Sequence, residues 1–323
     1  MKIAIVGCGA VGSYYGAMLG RAGQDLHFLL RSDSDTVRRN GVSVRSPAGD
    51  FTVRPRAAQS PEEIGVSDLV LIGLKTTAND QFPQLLPALV GPQTAVVTLQ
   101  NGLGNEEQLA KLFPAEQILG GLCFVCLNRT EPGVIQHLAH GLVMLGEFQR
   151  PAGVRTHELA ALLRHAGVPC QVTDNLARAH WEKLVWNIPF NGLGVAGVAG
   201  YGALVNQPST LHPQRSTCLT TDLLLGDPRW EQLVRDLMHE VISVAGALGM
   251  EIPDAVAEQQ IARTRMMGAY KASTLLDFEC GRPLELESIF LSPLREARRV
   301  GVATPRLTAL CETLKYLERL DQP

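Results

Sequence analysis

The stretch KIAIVGCGAVGSYYGAML, residues 2–19, decides the fold class of this chain. It opens with KIAIVG, a continuous apolar run typical of a buried parallel strand. Gly7, Gly9 and Gly12 then fit the pattern G-x-G-x-x-G, and a helical pattern follows over residues 10–23. A strand, a glycine loop and a helix in this order predict a site for the pyrophosphate of a dinucleotide, because glycines admit the ligand closely and the helix start offers N–H groups.

The whole glycine loop is therefore expected to contact the cofactor. The alternative is a glycine-rich turn in an unrelated α/β protein, which the flanking strand and helix disfavour. The predicted contacts are Gly7, Cys8, Gly9, Ala10, Val11 and Gly12.

Further strand and helix patterns alternate after the loop. Strands are indicated at residues 25–31, 68–75, 94–99 and 118–127, with a hairpin over 42–55 and helices over 76–90 and 104–113. This alternation predicts an α/β domain with a doubly wound, parallel, Rossmann-type sheet. The stretch GVIQHLAHGLVMLGEF, residues 133–148, indicates an antiparallel ending to that sheet.

The second half of the chain has helical patterns. Helices are predicted over residues 230–249, 255–273 and 305–320, and residues 203–229 are expected to form an extended loop with one short helix. We place a dinucleotide-binding domain at residues 1–174 and an all-helical domain at 175–323.

Composition narrows the classes of function. A chain of 323 residues suits two domains, and its net charge of −3 gives no strong field for nucleic acid or anionic lipid. No apolar run approaches the roughly 18 residues of a membrane span, and glycines interrupt the N-terminus too early for a signal peptide. Seven scattered cysteines indicate a reducing cytoplasm. Cys123 and Cys126 lie in an apolar, strand-like run, so no metal site is expected there.

The residue after the second strand indicates the cofactor. NAD sites usually carry an acidic residue there, whereas this chain has Arg31, whose planar guanidinium suits the 2′-phosphate of NADP. Asp33 and Asp35 would repel such a phosphate, and a solvated surface arginine is the alternative. Lys75 and Asn101 follow the next strands, at the sheet edge where ligands of such folds bind; an exposed lysine and a turn-forming asparagine are the alternatives.

A polar stripe marks the helical stretch HWEKLVWNIPFNGL, residues 180–193. Lys183, Asn187 and Asn191 are four residues apart and so lie near one face of a helix whose other residues are largely apolar. Since burying unpaired polar groups is costly, this stripe predicts a wet cleft or a ligand site. The alternative is that the three side chains cap neighbouring backbone groups. Pro189 is expected to kink the helix.

The order of these motifs resembles the ketopantoate reductase (2-dehydropantoate 2-reductase) family. The matching parts are the glycine loop, Lys75, QNGLGNEE, PGVIQH, WEKLVWN and STLLDFECGRPLELESI, which together span nearly the whole chain. The resemblance implies a Rossmann-type NADPH domain followed by an all-helical domain, an arrangement like that of 6-phosphogluconate dehydrogenase. It implies the reduction of ketopantoate to pantoate in pantothenate and coenzyme A biosynthesis.

The resemblance also implies roles for individual residues. Lys183 falls on the general acid and Glu285 on an active-site glutamate that also contacts the cofactor. Asn187, Asn191 and Ser273 fall on substrate-binding positions, with the serine at the substrate carboxylate. The residues implied to contact the cofactor are Arg31, Lys75 and Asn101, the last of which also faces the substrate.

Three departures from the family pattern keep the substrate open. Asn191 is followed by Gly192 where the family often has proline, Leu276 stands where glutamine is frequent, and the stretch around 200–229 is about twenty residues longer than the resemblance implies. The alternatives are a reductase of another 2-oxo acid and a dinucleotide-binding sensor without catalysis. The oligomeric state is open, with a homodimer as one candidate.

Overall fold

The glycine loop joins a buried strand to a helix, as the sequence predicts. In the computed structural model, which describes residues 1–205 and 217–320, strand β1 is Lys2–Val6 and helix α1 is Ala10–Arg21. The chain divides into two units, Met1–Ala179 and His180–Pro323. The division falls inside a helix that begins at Leu176, whereas the sequence predicts a boundary between residues 174 and 175.

The first unit contains a ten-stranded mixed sheet. After β1, its strands are β2 Asp25–Leu29, β3 Val42–Arg45, β4 Phe51–Val53, β5 Arg56–Ala58, β6 Ser67–Ile72, β7 Val90–Thr98, β8 Ile118–Glu131, β9 Val134–Glu147 and β10 Cys170–Val172. The remaining helices of this unit are α2 Ser34–Asn40, α3 Pro61–Ile64, α4 Phe82–Leu85, α5 Asn105–Leu109 and α6 Val154–His165, with 3₁₀ turns at Thr76–Gln81 and Ala115–Gln117.

The strand order confirms the predicted sheet. It is β4-β3-β9-β8-β7-β6-β1-β2-β5, with β10 beside β9. The strands β5, β2, β1, β6, β7 and β8 pair in parallel, and β8 with β9 forms the predicted antiparallel ending. The expected hairpin over 42–55 is the antiparallel pair β3–β4.

Alternate residues of β1 bury two separate cores. Ile3 and Ile5 pack into one apolar cluster with Phe28, while Ala4 and Val6 pack into another with Phe82. Successive strand side chains point to opposite faces, so a strand covered on both faces must be apolar throughout. The unbroken apolar run of residues 3–6 therefore has a direct structural cause.

The predicted helix over 76–90 is wrong in its extent. The segment forms a 3₁₀ turn and one short helix, α4, and β7 already begins at Val90. Pro83 lies in the first turn of α4, where its missing N–H group costs no hydrogen bond within the helix. Pro87 follows the end of α4, and because it has no N–H group it disfavours a helix that continues towards residue 90.

The described residues of the second unit form helices and no strand. They are α7 Leu176–Ala196, which starts in the first unit, then α8 Gly202–Val205, α9 Thr221–Gly226, α10 Pro228–Ala247, α11 Ala255–Arg265, α12 Ser273–Glu279, α13 Ser292–Arg299 and α14 Pro305–Leu320. A 3₁₀ turn spans Gly197–Ala199 and a π-helical turn spans Glu287–Leu291. No helix within the described ranges has the length and apolar character that a membrane crossing requires.

Two helical predictions change in detail. The pattern over 255–273 is not one helix, because α11 ends at Arg265 and Gly268 has a φ of +63° before α12 starts at Ser273. The predicted loop over 203–229 lies partly outside the described residues. Its described ends contain α8 and α9, and α10 already begins at Pro228.

Candidate active site

The three glycines of the loop after β1 have different surroundings. A Cβ atom on Gly7, whose φ is +94°, would lie 2.2 Å from the backbone nitrogen of Leu74, and one on Gly12 would lie 2.2 Å from the carbonyl oxygen of Gly7. A Cβ atom on Gly9 would meet nothing within 4 Å. Gly7 and Gly12 are thus fixed by close packing, whereas Gly9 borders open space, as a glycine approached by a ligand would.

The other loop residues support this backbone geometry. The Cys8 thiol donates to the carbonyl oxygen of Leu29, 3.4 Å away, and the Ser13 hydroxyl donates to the carbonyl oxygen of Cys8 at 3.0 Å. Ala10 and Val11 form the first turn of α1, where backbone N–H groups have no partner within the helix. The six residues predicted to bind a cofactor therefore form one loop with donors at the start of a helix.

Two basic residues lie beyond strands that flank this loop. Arg31 follows β2 and Lys75 follows β6, and both side chains are exposed. The two strands pair with β1 on either side and in parallel, so all three end at the same edge of the sheet. This edge is where open α/β sheets bind ligands.

Asn101 follows β7 and is supported by buried amides that the sequence analysis missed. The Asn105 amide donates to the carbonyl oxygen of Asn101 at 3.1 Å. The Asn79 amide donates to Asn105 Oδ1 at 2.9 Å, and the Gln100 amide donates to Asn79 Oδ1 at 2.7 Å. All three supporting residues are buried. The clustering of amides in QNGLGN was a signal for such a network, but its partner Asn79 is remote in sequence.

Asp33 has a partner that the sequence analysis also missed. Its carboxylate forms an ion pair with Arg129 and accepts a hydrogen bond from the Ser32 hydroxyl at 3.0 Å. Asp33 is only 8 % exposed. The expected repulsion of a phosphate by Asp33 is therefore offset by a guanidinium.

The polar stripe of the second unit lies on α7, which runs unbroken through Pro189. Lys183 is half-buried, and Asn187 and Asn191 are 6 % and 2 % exposed. The two asparagines differ in their contacts. The side chain of Asn187 makes no hydrogen bond to another residue in the described ranges, whereas Asn191 is hydrogen bonded through its carboxamide oxygen.

The contacts of Asn191 lead to Ser273. Asn191 Oδ1 accepts from the Ser273 hydroxyl at 3.2 Å and from the backbone N–H of Thr274 at 3.0 Å. Asn191 thus caps a backbone group at the start of α12, which is the alternative that the sequence left open. The structure also brings together two residues predicted to bind substrate.

Glu285 is buried and immediately precedes a helical segment. It is 4 % exposed, and its carbonyl oxygen accepts from Ile289 N at 3.3 Å. The π-helical turn Glu287–Leu291 follows. Such turns are uncommon and are frequent at functional sites.

These features define a class of protein. A glycine loop at the edge of a largely parallel sheet, followed by a unit whose described residues are helical, defines a dinucleotide-binding protein with a Rossmann-type domain and a helical domain. Comparison with known proteins then identifies the family. The model described as "Ketopantoate reductase PanE/ApbA" matches residues 3–150, and "Ketopantoate reductase PanE/ApbA C terminal" matches residues 216–318. The chain belongs to this ketopantoate reductase family.

Individual relatives agree with the family models. A protein of Nostoc sp. named 2-dehydropantoate 2-reductase is 38 % identical, covering 98 % of this chain and 95 % of its own. The crystal structure of 2-dehydropantoate 2-reductase from Geobacter metallireducens is 47 % identical, with a TM-score of 0.88 and coverage of 98 % and 99 %. That from Methylococcus capsulatus is 35 % identical, with a TM-score of 0.87 and coverage of 100 % and 98 %.

Proposed function

We propose that this chain is an NADPH-dependent reductase that converts 2-dehydropantoate (ketopantoate) to pantoate, a step of pantothenate and coenzyme A biosynthesis. The observation that carries the proposal is the 38 % identity to a 2-dehydropantoate 2-reductase over 98 % of the chain. Matches to the family models in both halves support it.

The first unit has the residues that would hold the cofactor, and NADPH, when bound, supplies the hydride that reduces the ketone carbon. The open space at Gly9 admits the pyrophosphate, and the start of α1 provides backbone donors. Arg31 and Lys75 bind the phosphate groups on the adenosine side. Asn101, held by Asn105, faces the nicotinamide and the substrate.

The second unit has the residues that would bind and protonate the substrate. Lys183 Nζ stabilises the negative charge that develops on the ketone oxygen and delivers the proton to that oxygen. Asn187, whose carboxamide has no hydrogen bond among the described residues, orients the substrate oxygens. Ser273 binds the substrate carboxylate by turning its single hydroxyl hydrogen from Asn191 Oδ1 to the carboxylate, and the amide nitrogen of Asn191 donates to the substrate. Glu285 completes the site and contacts the cofactor.

We infer that the reaction takes place in the cytoplasm, in keeping with seven cysteines that are all free thiols. The partner is a small 2-oxo acid rather than a nucleic acid or a membrane. A homodimer remains one candidate for the oligomeric state.

A substrate panel tests the proposed function. NADPH oxidation is followed with ketopantoate, with smaller and bulkier 2-oxo acids, and with NADH in parallel. We expect ketopantoate with NADPH to give the highest kcat/KM. A higher kcat/KM for another 2-oxo acid would reassign the substrate, and tight NADPH binding without turnover of any acid would identify a sensor.

A further inference from the structure

The carboxylate of Asp33 is neutralised from a distant part of the chain. Asp33 lies just after β2 and pairs with Arg129, which is 96 positions away in sequence. The second carboxylate oxygen accepts from the Ser32 hydroxyl. Each oxygen of an acidic group that the sequence places beside the cofactor therefore already accepts a hydrogen bond from a side chain of this unit.

The length of β8 explains how Arg129 reaches Asp33. Pairing of β8 with β7 ends at Thr98 and Gly120, but β8 continues to Glu131 and pairs there with β9. The hairpin thus extends past the edge at which the parallel strands end. At its turn, a Cβ atom on Gly133 would lie 3.7 Å from the side chain of Val37 in α2. The hairpin therefore packs against the helix that follows Asp33.

The ion pair also lies close to the glycine loop. Burial raises the pKa of the Cys8 thiol, the charge of Asp33 raises it further, and the charge of Arg129 lowers it. Both charges therefore act on an atom of the loop predicted to bind the pyrophosphate. Ligand groups bound at this loop or at the end of β2 lie within the field of the pair.

An acidic side chain after the second strand has a known consequence in dinucleotide sites. It accepts hydrogen bonds from the ribose hydroxyls of NAD, and its charge repels a 2′-phosphate. We propose that Arg129 is a specificity-determining residue for the cofactor, because its ion pair with Asp33 removes this acidic acceptor and so permits a 2′-phosphate beside Arg31. The inference rests on the proposed use of a nicotinamide dinucleotide and goes beyond it by assigning the residue that sets the preference.

Nucleotide binding to the full-length protein tests this role without turnover of any oxo acid. Dissociation constants are measured for NADPH and NADH, and for adenosine 2′,5′-bisphosphate and AMP as probes of the adenosine end. In Arg129→Met the constants for the two 2′-phosphorylated ligands should rise about tenfold or more, while those for NADH and AMP should change less than about threefold. Arg45→Met, at an exposed position on β3, serves as the control and should change neither set.

A second substitution separates a charge effect from a loss of structure. Removing the carboxylate in the double variant Arg129→Met/Asp33→Asn should restore NADPH binding to within about threefold of the wild type. Asp33→Asn alone should retain NADPH binding even if Arg129→Met proves unstable. Equal weakening of NADPH and NADH in Arg129→Met, no recovery in the double variant, or loss of NADPH binding in Asp33→Asn would each overturn the inference.

The outcomes distinguish this inference from the proposed function. If NADPH binds and ketopantoate is reduced but the ratio of NADPH to NADH affinity is unchanged in Arg129→Met, only the role of Arg129 fails. If the wild type binds none of the four nucleotides, the proposed cofactor is wrong, and the inference falls with it.

Discussion

At the scale of single residues, Gly9 and Gly12 of the loop after β1 differ in the space around them. Gly9 has a φ of −74°, which any residue adopts, and a Cβ atom there would meet nothing within 4 Å. A Cβ atom on Gly12 would meet the carbonyl oxygen of Gly7 at 2.2 Å. The two positions therefore separate a requirement for ligand binding from a requirement for folding.

Alanine at Gly9 should weaken cofactor binding, whereas alanine at Gly12 should lower the stability of the fold. We expect Gly9→Ala to leave the midpoint of thermal unfolding unchanged and to raise the dissociation constant of NADPH by about tenfold or more, because the methyl group occupies the ligand's space. Gly12→Ala should instead lower the unfolding midpoint through overpacking, which typically costs about 1–3 kcal/mol. Thermal melts and NADPH titration measure both; normal NADPH affinity in a folded Gly9→Ala protein would refute the assignment of this loop.

The asparagines of α7 form a second matched pair. Asn191→Ala leaves the buried N–H of Thr274 without its acceptor, which should reduce the free energy of unfolding by about 1–3 kcal/mol. Asn187→Ala removes no hydrogen bond within the described residues, so its effect on stability should be smaller. Its KM for ketopantoate should rise about tenfold, the loss of one substrate hydrogen bond. Unchanged kinetics for Asn187→Ala would remove this residue from the substrate site.

At the scale of elements, Glu147 joins the end of β9 to the start of α6. Its carboxylate is 2 % exposed, pairs with Arg155 at 2.6 Å and Arg150 at 2.9 Å, and accepts from the Thr156 hydroxyl at 2.5 Å. Burial alone would raise the pKa of Glu147. The hydrogen bond from Thr156 and the pairs with the two arginines outweigh burial and hold the pKa below its usual value of 4.5.

The lowered pKa of Glu147 predicts how the free energy of unfolding changes with pH. A carboxylate whose folded pKa lies below its unfolded pKa contributes stability above the unfolded value and loses it as the pH falls through the folded value. Glu147→Gln should therefore lower the free energy of unfolding by about 1–3 kcal/mol at neutral pH, and the difference should shrink below pH 4.5. Denaturant titrations at neutral and acid pH measure this difference in the free energy of unfolding. Glu158→Gln, on the exposed face of α6, serves as the control. A difference between Glu147→Gln and the wild type that does not change with pH would contradict the role given to the Glu147 charge.

The elements also show how far sequence reasoning reaches. The apolar run of β1, the glycine loop and the hairpin of β3 and β4 follow from local patterns, because burial on two faces and turn chemistry are local properties. The predicted helix over 76–90 is too long because its first part forms the 3₁₀ turn Thr76–Gln81 and Pro87 disfavours its continuation after α4. The pairs Asp33–Arg129 and Asn79–Gln100 depend on which strand ends become neighbours, and a single sequence does not contain that information in local form.

The sequence also predicts the candidate site only in part, because it does not show which distant residues its side chains contact. The spacing of Lys183, Asn187 and Asn191 correctly placed three polar side chains on one helix, but it gave no means of telling them apart. Contacts with α12 separate Asn191 from Asn187. The roles of Lys183, Ser273 and Glu285 came from resemblance to the family and stay predictions.

At the scale of the whole molecule, the residues proposed to bind the cofactor and most of those proposed to bind the substrate belong to different units. The first, Met1–Ala179, has the glycine loop and the basic residues proposed for the cofactor, and the second has the residues proposed for the substrate. The family models match within each unit, at residues 3–150 and 216–318. The proposed reaction therefore requires the full chain, and its central test is made on the intact protein.

The most direct test is the turnover number of Lys183→Ala with ketopantoate and NADPH, beside Lys315→Ala at an exposed position of α14. Loss of the proton donor should lower kcat by about 10²–10⁴-fold, while Lys315→Ala should match the wild type and both variants should retain NADPH affinity. A kcat within a few fold of the wild type for Lys183→Ala would contradict the account.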